Sequence, residues 1–271
     1  MSPEASRPAT IDVAVGPRTL VSTRVPDPRV VRILGVPFHD LTYPEAKRHI
    51  AAMLRGPGVH HIVLANAHTL NCAVDDAGYR SILQQANLVL RDGVGIELAA
   101  MLAGRRLRNN FVGTDFVPAL LRSLAQPRVR VFLYGASAGV AVTAGRELVK
   151  RCAGIQIVGA EHGYGDAREV LSAIRAQGAD VLLVALGNPL QERWIATHLD
   201  ELQVPVAIGV GALFDYLAGR VVRAPRWIRR LRSEWIFRLC VEPGRLWRRY
   251  LAGNARFLWR VLADRRQPAS T

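Results

Sequence analysis

From residue 30 onward, short runs of apolar and β-branched residues alternate with stretches in which apolar residues recur at three- and four-residue steps. The runs lie at 30–36, 61–65, 87–90, 129–134, 155–159, 181–186 and 206–210, and helical spacing is clearest at 43–54, 138–151, 168–177 and 191–199. Parallel strands need crossover connections, so this alternation predicts an α/β fold, a mainly parallel sheet with flanking helices in a Rossmann-like arrangement. Sheets of this kind bind ligands outside the carboxyl ends of their strands, which is where polar residues deserve inspection first. The alternation stops near Ala218. Beyond it Trp227, Leu231, Trp235 and Leu239 recur at four-residue steps with arginines between them, the pattern of a basic helical appendage. The expected organisation is a proline-rich leader at 1–29, an α/β core at 30–218, an Arg/Trp-rich appendage at 219–266 and a tail at 267–271.

Composition narrows the picture. With 271 residues, 50% hydrophobic and 21% charged, the chain can bury a large core and is far from a disordered composition. Cys72, Cys152 and Cys240 are odd in number and far apart, which argues against a disulfide framework or a zinc ribbon and fits a reducing cytosol. No apolar run is long enough for a membrane span, and the leader has no apolar segment of the secretory type. Charge changes the picture most. Residues 219–266 hold fourteen arginines against Glu234, Glu242 and Asp264, a net of +11 out of +14 for the whole chain. Such a segment seeks phosphates, whether of nucleic acid, of an anionic membrane or of a phosphorylated substrate.

Polar residues do cluster at the strand ends. Asn66 follows the second run and can cap a helix or bind a ligand. Asp92, in Arg91-Asp92-Gly93-Val94-Gly95, is either an N-cap beside a turn or a carboxylate held at the sheet edge as a general base. Gly113-Thr114-Asp115 opens an apolar helix, with Thr114 or Asp115 as cap or the helix amides as a phosphate site. Gly135-Ala136-Ser137-Ala138-Gly139 matches the nucleophile elbow of serine hydrolases, and also fits a phosphate-cradling turn. Gly187-Asn188-Pro189-Leu190-Gln191-Glu192 reads as a strand end, an Asn188 cap and a helix starting at Pro189, or as an amide and a carboxylate presented to a ligand. A last strand ends in Gly209-Val210-Gly211-Ala212-Leu213-Phe214-Asp215. No D-x-D triplet and no metal-spaced His/Asp cluster occurs, so a nucleotide-sugar enzyme built this way would have to neutralise its leaving diphosphate with arginines or backbone dipoles.

Together these stretches resemble the WecG/TagA/CpsF family of bacterial glycosyltransferases, glycosyltransferase family 26. Asn66-Ala67-His68, Leu133-Tyr134-Gly135, His162-Gly163-Tyr164 and the segment from Gly219 through Arg223-Ala224-Pro225 to Glu234-Trp235 and Arg238 extend the match over about residues 30–260. The resemblance implies inverting transfer from a UDP-sugar to a lipid-linked saccharide at the inner face of the cytoplasmic membrane, with no cofactor and no metal. It implies that Asp92 is the base, that Asn66 and Gln191 lie in the active site, and that the appendage docks on an anionic membrane and brings arginines over the site. Some members carry threonine where this chain has Leu64 and arginine where it has Asn110.

The expected catalytic residues are therefore Asp92, Asn66, Gln191 and Arg223. Gly113, Thr114, Asp115, Gly135, Ser137, Gly187, Asn188, Glu192, Gly211 and Asp215 are expected to line the substrates. The expected glycan is an exopolysaccharide or another cell-envelope polymer. Two rivals are a serine esterase built on Ser137 and a nucleic-acid-binding protein using the basic tail. An α/β core with several polar strand ends is superfluous for the second, so nucleic acid is not an expected partner.

Overall fold

The computed structural model describes residues 29–124, 128–225, 227–228, 234–247 and 251–264. Strands β3 (His60–Ala65), β4 (Leu88–Arg91), β5 (Val129–Gly135), β6 (Ile155–Glu161), β7 (Val181–Ala185) and β8 (Val206–Gly209) pair in parallel in the order β4-β3-β8-β7-β5-β6. Every residue of β3 and β7 is buried, as helices on both faces require. Ile62, Leu64, Leu88, Leu90, Leu133 and Leu183 point to one face. They meet helices α1 (Tyr43–Arg55), α5 (Gly113–Leu124), α6 (Val140–Arg151) and α9 (Leu213–Leu217). The alternate residues Val63, Ala65, Val89, Phe132 and Val184 point the other way. There they meet α2 (Ala67–Asp75), α3 (Ala77–Gln85), α4 (Val94–Leu102), α7 (Ala167–Gln177) and α8 (Leu190–His198). The period-two pattern thus sorts one sheet into two cores.

Local chemistry sets the helix starts. Thr42 and Glu45 form a reciprocal capping box at α1, with Pro44 in its first turn, and Asp166 caps α7. The run at 30–36 is not one strand, as its apolar pattern had implied. Leu34 and Gly35, at φ of 50° and 77°, turn the chain into a hairpin of β1 (Val30–Ile33) and β2 (Val36–His39). Two positive-φ residues suit the twist of paired strands, so a continuous apolar run folds back on itself.

The appendage contains α10 (Glu234–Val241), α11 (Pro243–Trp247) and α12 (Gly253–Asp264). Its distal helix returns to the core: Phe257 and Val261 are buried with α2 and α4 residues. Arg260 donates to the backbone carbonyl of Asn71 at 2.9 Å and to its Oδ1 at 3.0 Å, and pairs with Asp75. Asn71 Nδ2 in turn donates to the Gly253 carbonyl at 2.8 Å. Leu231, Arg229, Arg230 and Arg232, together with residues 1–28 and the tail, lie outside the described residues.

Candidate functional site

The parallel pairing of β3 and β4, with Ala65 opposite Arg91, sets Asn66 beside Asp92 at the carboxyl edge. The Asp92 amide donates to the Ala65 carbonyl at 2.8 Å. Asn66 caps α2: its Oδ1 accepts from the amides of His68 at 3.0 Å and Thr69 at 3.2 Å. Capping occupies the side-chain oxygen, so a ligand could use only the Nδ2 end. Asp92 is a different case. The N-cap position of α4 is Gly93, at φ 101°, one residue beyond Asp92.

Segment 109–111 wraps this turn. The Phe111 amide donates to the Arg91 carbonyl at 2.7 Å, Arg91 Nε donates to the Asn109 carbonyl at 3.0 Å, and the Gly93 amide donates to Asn110 Oδ1 at 2.7 Å. Buried Arg91 also pairs with Glu97 at 2.8 Å. Tyr43 of α1 donates its hydroxyl to the Asn110 carbonyl at 2.6 Å. Burial raises the pKa of Tyr43, and the carboxylates of Asp115 and Asp92 raise it further, which places both acids within electrostatic reach of one phenol.

Thr114 and Asp115 are not caps of α5, because both lie inside its first turn. The Val112 carbonyl accepts from the amides of Asp115 and Phe116. Asp115 instead pairs with Arg223 at 2.5 Å, which draws an appendage arginine to the N-terminus of α5. The Thr114 hydroxyl is buried and has no hydrogen-bond partner among the described residues. Gly113 lies so close to β3 that a Cβ there would stand 3.2 Å from Leu64 Cδ1.

Around α8 the side chains face each other. Asn188 was expected to cap the helix. The cap position is Pro189, and Asn188 Nδ2 donates instead to Glu192 Oε1 at 2.8 Å, because that buried carboxylate needs donors. Gln191 donates to the same oxygen at 2.7 Å, and Tyr79 donates to Glu192 Oε2 at 3.0 Å. Gln191 Oε1 accepts the Gly211 amide at 2.9 Å, so its carboxamide brackets α8 to the loop after β8. This packing leaves no room for a side chain at the last residue of β8: a Cβ at Gly209 would lie 2.7 Å from Gln191 Nε2.

Burial raises the pKa of Glu192 from 4.5 to about 6, against the lowering effect of its three donors. A carboxyl group with a raised folded pKa stabilises the fold in its protonated form. That stability is fully present below about pH 4.5 and is lost as pH rises through about 6. Glu192→Gln keeps Oε1 for Asn188 and Gln191 and offers an N–H to the Tyr79 oxygen. The variant is expected to gain about 2 kcal/mol relative to the wild type between pH 4 and pH 7. Urea unfolding at the two pH values checks this, and an unchanged difference would refute it.

Gly135 and Ser137 lie at β5, four strands from β4 and so roughly 19 Å from Asp92. A Cβ on Gly135 would stand 2.5 Å from the Ala185 carbonyl oxygen, so glycine is needed for this close approach. The non-glycine residue of this turn at positive φ is Ala136, at 58°, whereas a nucleophile elbow strains its serine. His162 Nδ1 accepts the Tyr164 amide, and His198 is the last residue of α8, with its Nδ1 3.6 Å from Glu201 Oε1. The esterase arrangement is thus absent among the described residues. Gly187 follows β7, Gly211 follows β8, and Asp215 lies on α9, all at the carboxyl edge. Among the described residues no three His, Cys, Asp or Glu side chains gather as a metal site.

Asn66, Asp92, Thr114, Asp115 and Arg223 thus meet over β4, β3 and β8. Gln191, Glu192 and Gly211 adjoin them, while Gly135 and Ser137 lie further along the edge. Tyr43 and Tyr79 complete this edge without having been legible, since each reaches its partner across a long stretch of sequence and neither sits in a strand-end motif. Asn110 stood out in the sequence only as a departure from the family's arginine, and its bonds to the Asp92 turn were not legible.

Residues 31–271 match the family described as "Glycosyl transferase WecG/TagA/CpsF family". The chain belongs to this family. It is therefore a glycosyltransferase, and the serine-esterase reading of Ser137 falls. A relative from Bacillus spizizenii is 36% identical over 70% of this chain and 74% of its own length. One from Staphylococcus aureus is 29% identical over 88% of this chain and 94% of its own. Both are named N-acetylglucosaminyldiphosphoundecaprenol N-acetyl-beta-D-mannosaminyltransferase.

Proposed function

We propose that this glycosyltransferase moves a hexosaminyl group, N-acetylmannosaminyl in the first instance, from a UDP-sugar to a polyprenyl-diphosphate-linked N-acetylglucosamine, with inversion. Asp92 takes the proton of the acceptor hydroxyl as that oxygen attacks the anomeric carbon. The bond from the anomeric carbon to the diphosphate oxygen breaks, and UDP leaves with the electron pair. The observation that carries this reading is the Asp92 carboxylate at the carboxyl edge of β4, with Gly93 rather than Asp92 capping α4.

Charge develops on the departing diphosphate, where Arg223 and the first turn of α5 offer a cation, amides and the Thr114 hydroxyl. The Nδ2 amide of Asn66 is left to orient sugar or acceptor, while Gln191 serves by fixing the Gly211 loop. Gly135, Ser137, Gly187, Asn188, Glu192 and Asp215 line or brace the rest of the edge. The missing D-x-D triplet supports a metal-independent mechanism. Purified full-length protein screened against several UDP-sugars, with a short-chain prenyl-diphosphate N-acetylglucosamine as acceptor, tests the proposal. Acceptor-dependent UDP release supports it, and release indifferent to the acceptor contradicts it.

An acceptor of this kind supports a peripheral position for the enzyme on the inner face of the plasma membrane. No described helix is long and apolar enough to cross a membrane. Support for docking comes from α10, which buries none of its residues although Trp235, Ile236 and Val241 are apolar, and from Trp227 and Trp247, both exposed. Each arginine near an anionic surface adds about 1 kcal/mol, so five engaged together give roughly 5 kcal/mol. Replacing Trp227, Trp235 and Trp247 by serine is expected to weaken co-sedimentation with anionic vesicles by about tenfold or more. Equal sedimentation of variant and wild type would remove the docking role of these residues.

A further inference from the structure

Asn110 stands where some family members carry arginine, yet it does what an arginine cannot. Arginine has donors only, whereas the Oδ1 of Asn110 accepts the Gly93 amide at 2.7 Å. Its backbone carbonyl accepts the Tyr43 hydroxyl at 2.6 Å, tying the same residue to α1. The neighbouring bonds, from Phe111 to the Arg91 carbonyl and from Arg91 Nε to the Asn109 carbonyl, hold the residue before Asp92. The Asn110 side chain holds the residue after it. Asp92 is thereby gripped on both sides by one segment.

From this geometry we infer that Asn110 is a positioning residue for Asp92, fixing the direction of its carboxylate by clamping the Gly93 amide. The inference rests on the reading of Asp92 as general base. A base contributes only when held within hydrogen-bond reach of the proton it takes, so a loosened turn lowers turnover more than donor binding. Several charged and titratable groups face this turn. Tyr43 comes from α1, Asp115 from α5 with its partner Arg223 from the segment after α9, and Arg91 from β4 with its partner Glu97 from α4. A carboxylate placed at position 110 would add a like charge beside the Asp92 turn and so oppose ionisation of Asp92.

Two variants of the full-length protein test this in the UDP-release assay, with thermal melts reporting folding. Asn110→Asp keeps an acceptor for the Gly93 amide and adds a like charge. It is expected to retain plateau turnover while the acidic limb of its pH–rate profile moves up by about one unit. Asn110→Ala removes the acceptor and is expected to lower kcat about tenfold, with donor KM and the limb unmoved. An unmoved limb in Asn110→Asp, or wild-type kcat in folded Asn110→Ala, would overturn the clamp. If Asn110→Ala does not fold, the limb of Asn110→Asp decides alone. Asp92→Asn, assayed in parallel, separates the two claims: loss of its activity beside an unmoved Asn110→Asp limb sinks the clamp alone. Wild-type turnover by Asp92→Asn sinks the base and the clamp with it.

Discussion

Replacing Asp92 with asparagine is expected to lower the rate of sugar transfer by about 100-fold to 10,000-fold, or about 3 to 5 kcal/mol in the barrier. Folding and donor binding are expected to remain near wild type. The amide keeps the shape of the carboxylate and loses its basicity, and the backbone bonds that hold the turn do not involve the side chain. The Asp92 amide still donates to Ala65, and the Gly93 amide still donates to Asn110. The loss should therefore fall on kcat with little change in donor KM. Single-turnover kinetics and calorimetric UDP binding check the two halves separately. Wild-type turnover by the asparagine variant would take Asp92 out of the chemistry.

Replacing Phe257 with alanine is expected to cost about 3 to 5 kcal/mol of stability, because a large ring leaves a cavity that its neighbours cannot close. The ring is only 1% exposed and lies with Val63, Ala65, Leu70, Ile96 and Ala99. Its Cε1 would stand 3.7 Å from a Cβ placed on Gly95, so α12 rests directly on α4. Trp259, two residues away and 69% exposed, supplies the control, since its alanine variant is expected to change stability by less than about 0.5 kcal/mol. Denaturant unfolding distinguishes the two. Equal effects would mean that α12 is not seated on the core. The packing also has a functional consequence. Helix α12 rests on α2 and α4, the helices whose N-cap positions are Asn66 and Gly93, so the basic appendage is tied to the elements that carry the proposed catalytic edge.

The sheet was legible because most of its strands, β3, β4, β7 and β8 throughout, are buried on both faces and bounded by glycine and polar turns. Six of the seven apolar runs became the six strands of the parallel sheet, and the remaining one, at 30–36, became the β1-β2 hairpin. That error has a simple origin: alternation of burial cannot reveal a two-residue reversal when Leu34 occupies one of the turn positions. The strand ends were legible as motifs, so Asn66, Asp92, Gly113 and Gln191 could be named from their places. Their bonds could not. Tyr79 meets Glu192 across 113 residues and Arg260 meets Asn71 across 189, pairings that depend on the order of strands rather than on local pattern. Local chemistry also has competing solutions. Asn188 and Asp92 are both good caps by type, yet a buried carboxylate claims the first and Gly93 takes the capping position from the second.

The anomeric configuration of the transferred sugar, read from the one-bond C1–H1 coupling of the product by NMR, distinguishes a base from a nucleophile at Asp92. Direct displacement assisted by Asp92 turns an α-linked donor into a β-linked product. A product that keeps the α configuration would require a covalent intermediate or another path, and would contradict the assignment of Asp92 as the general base.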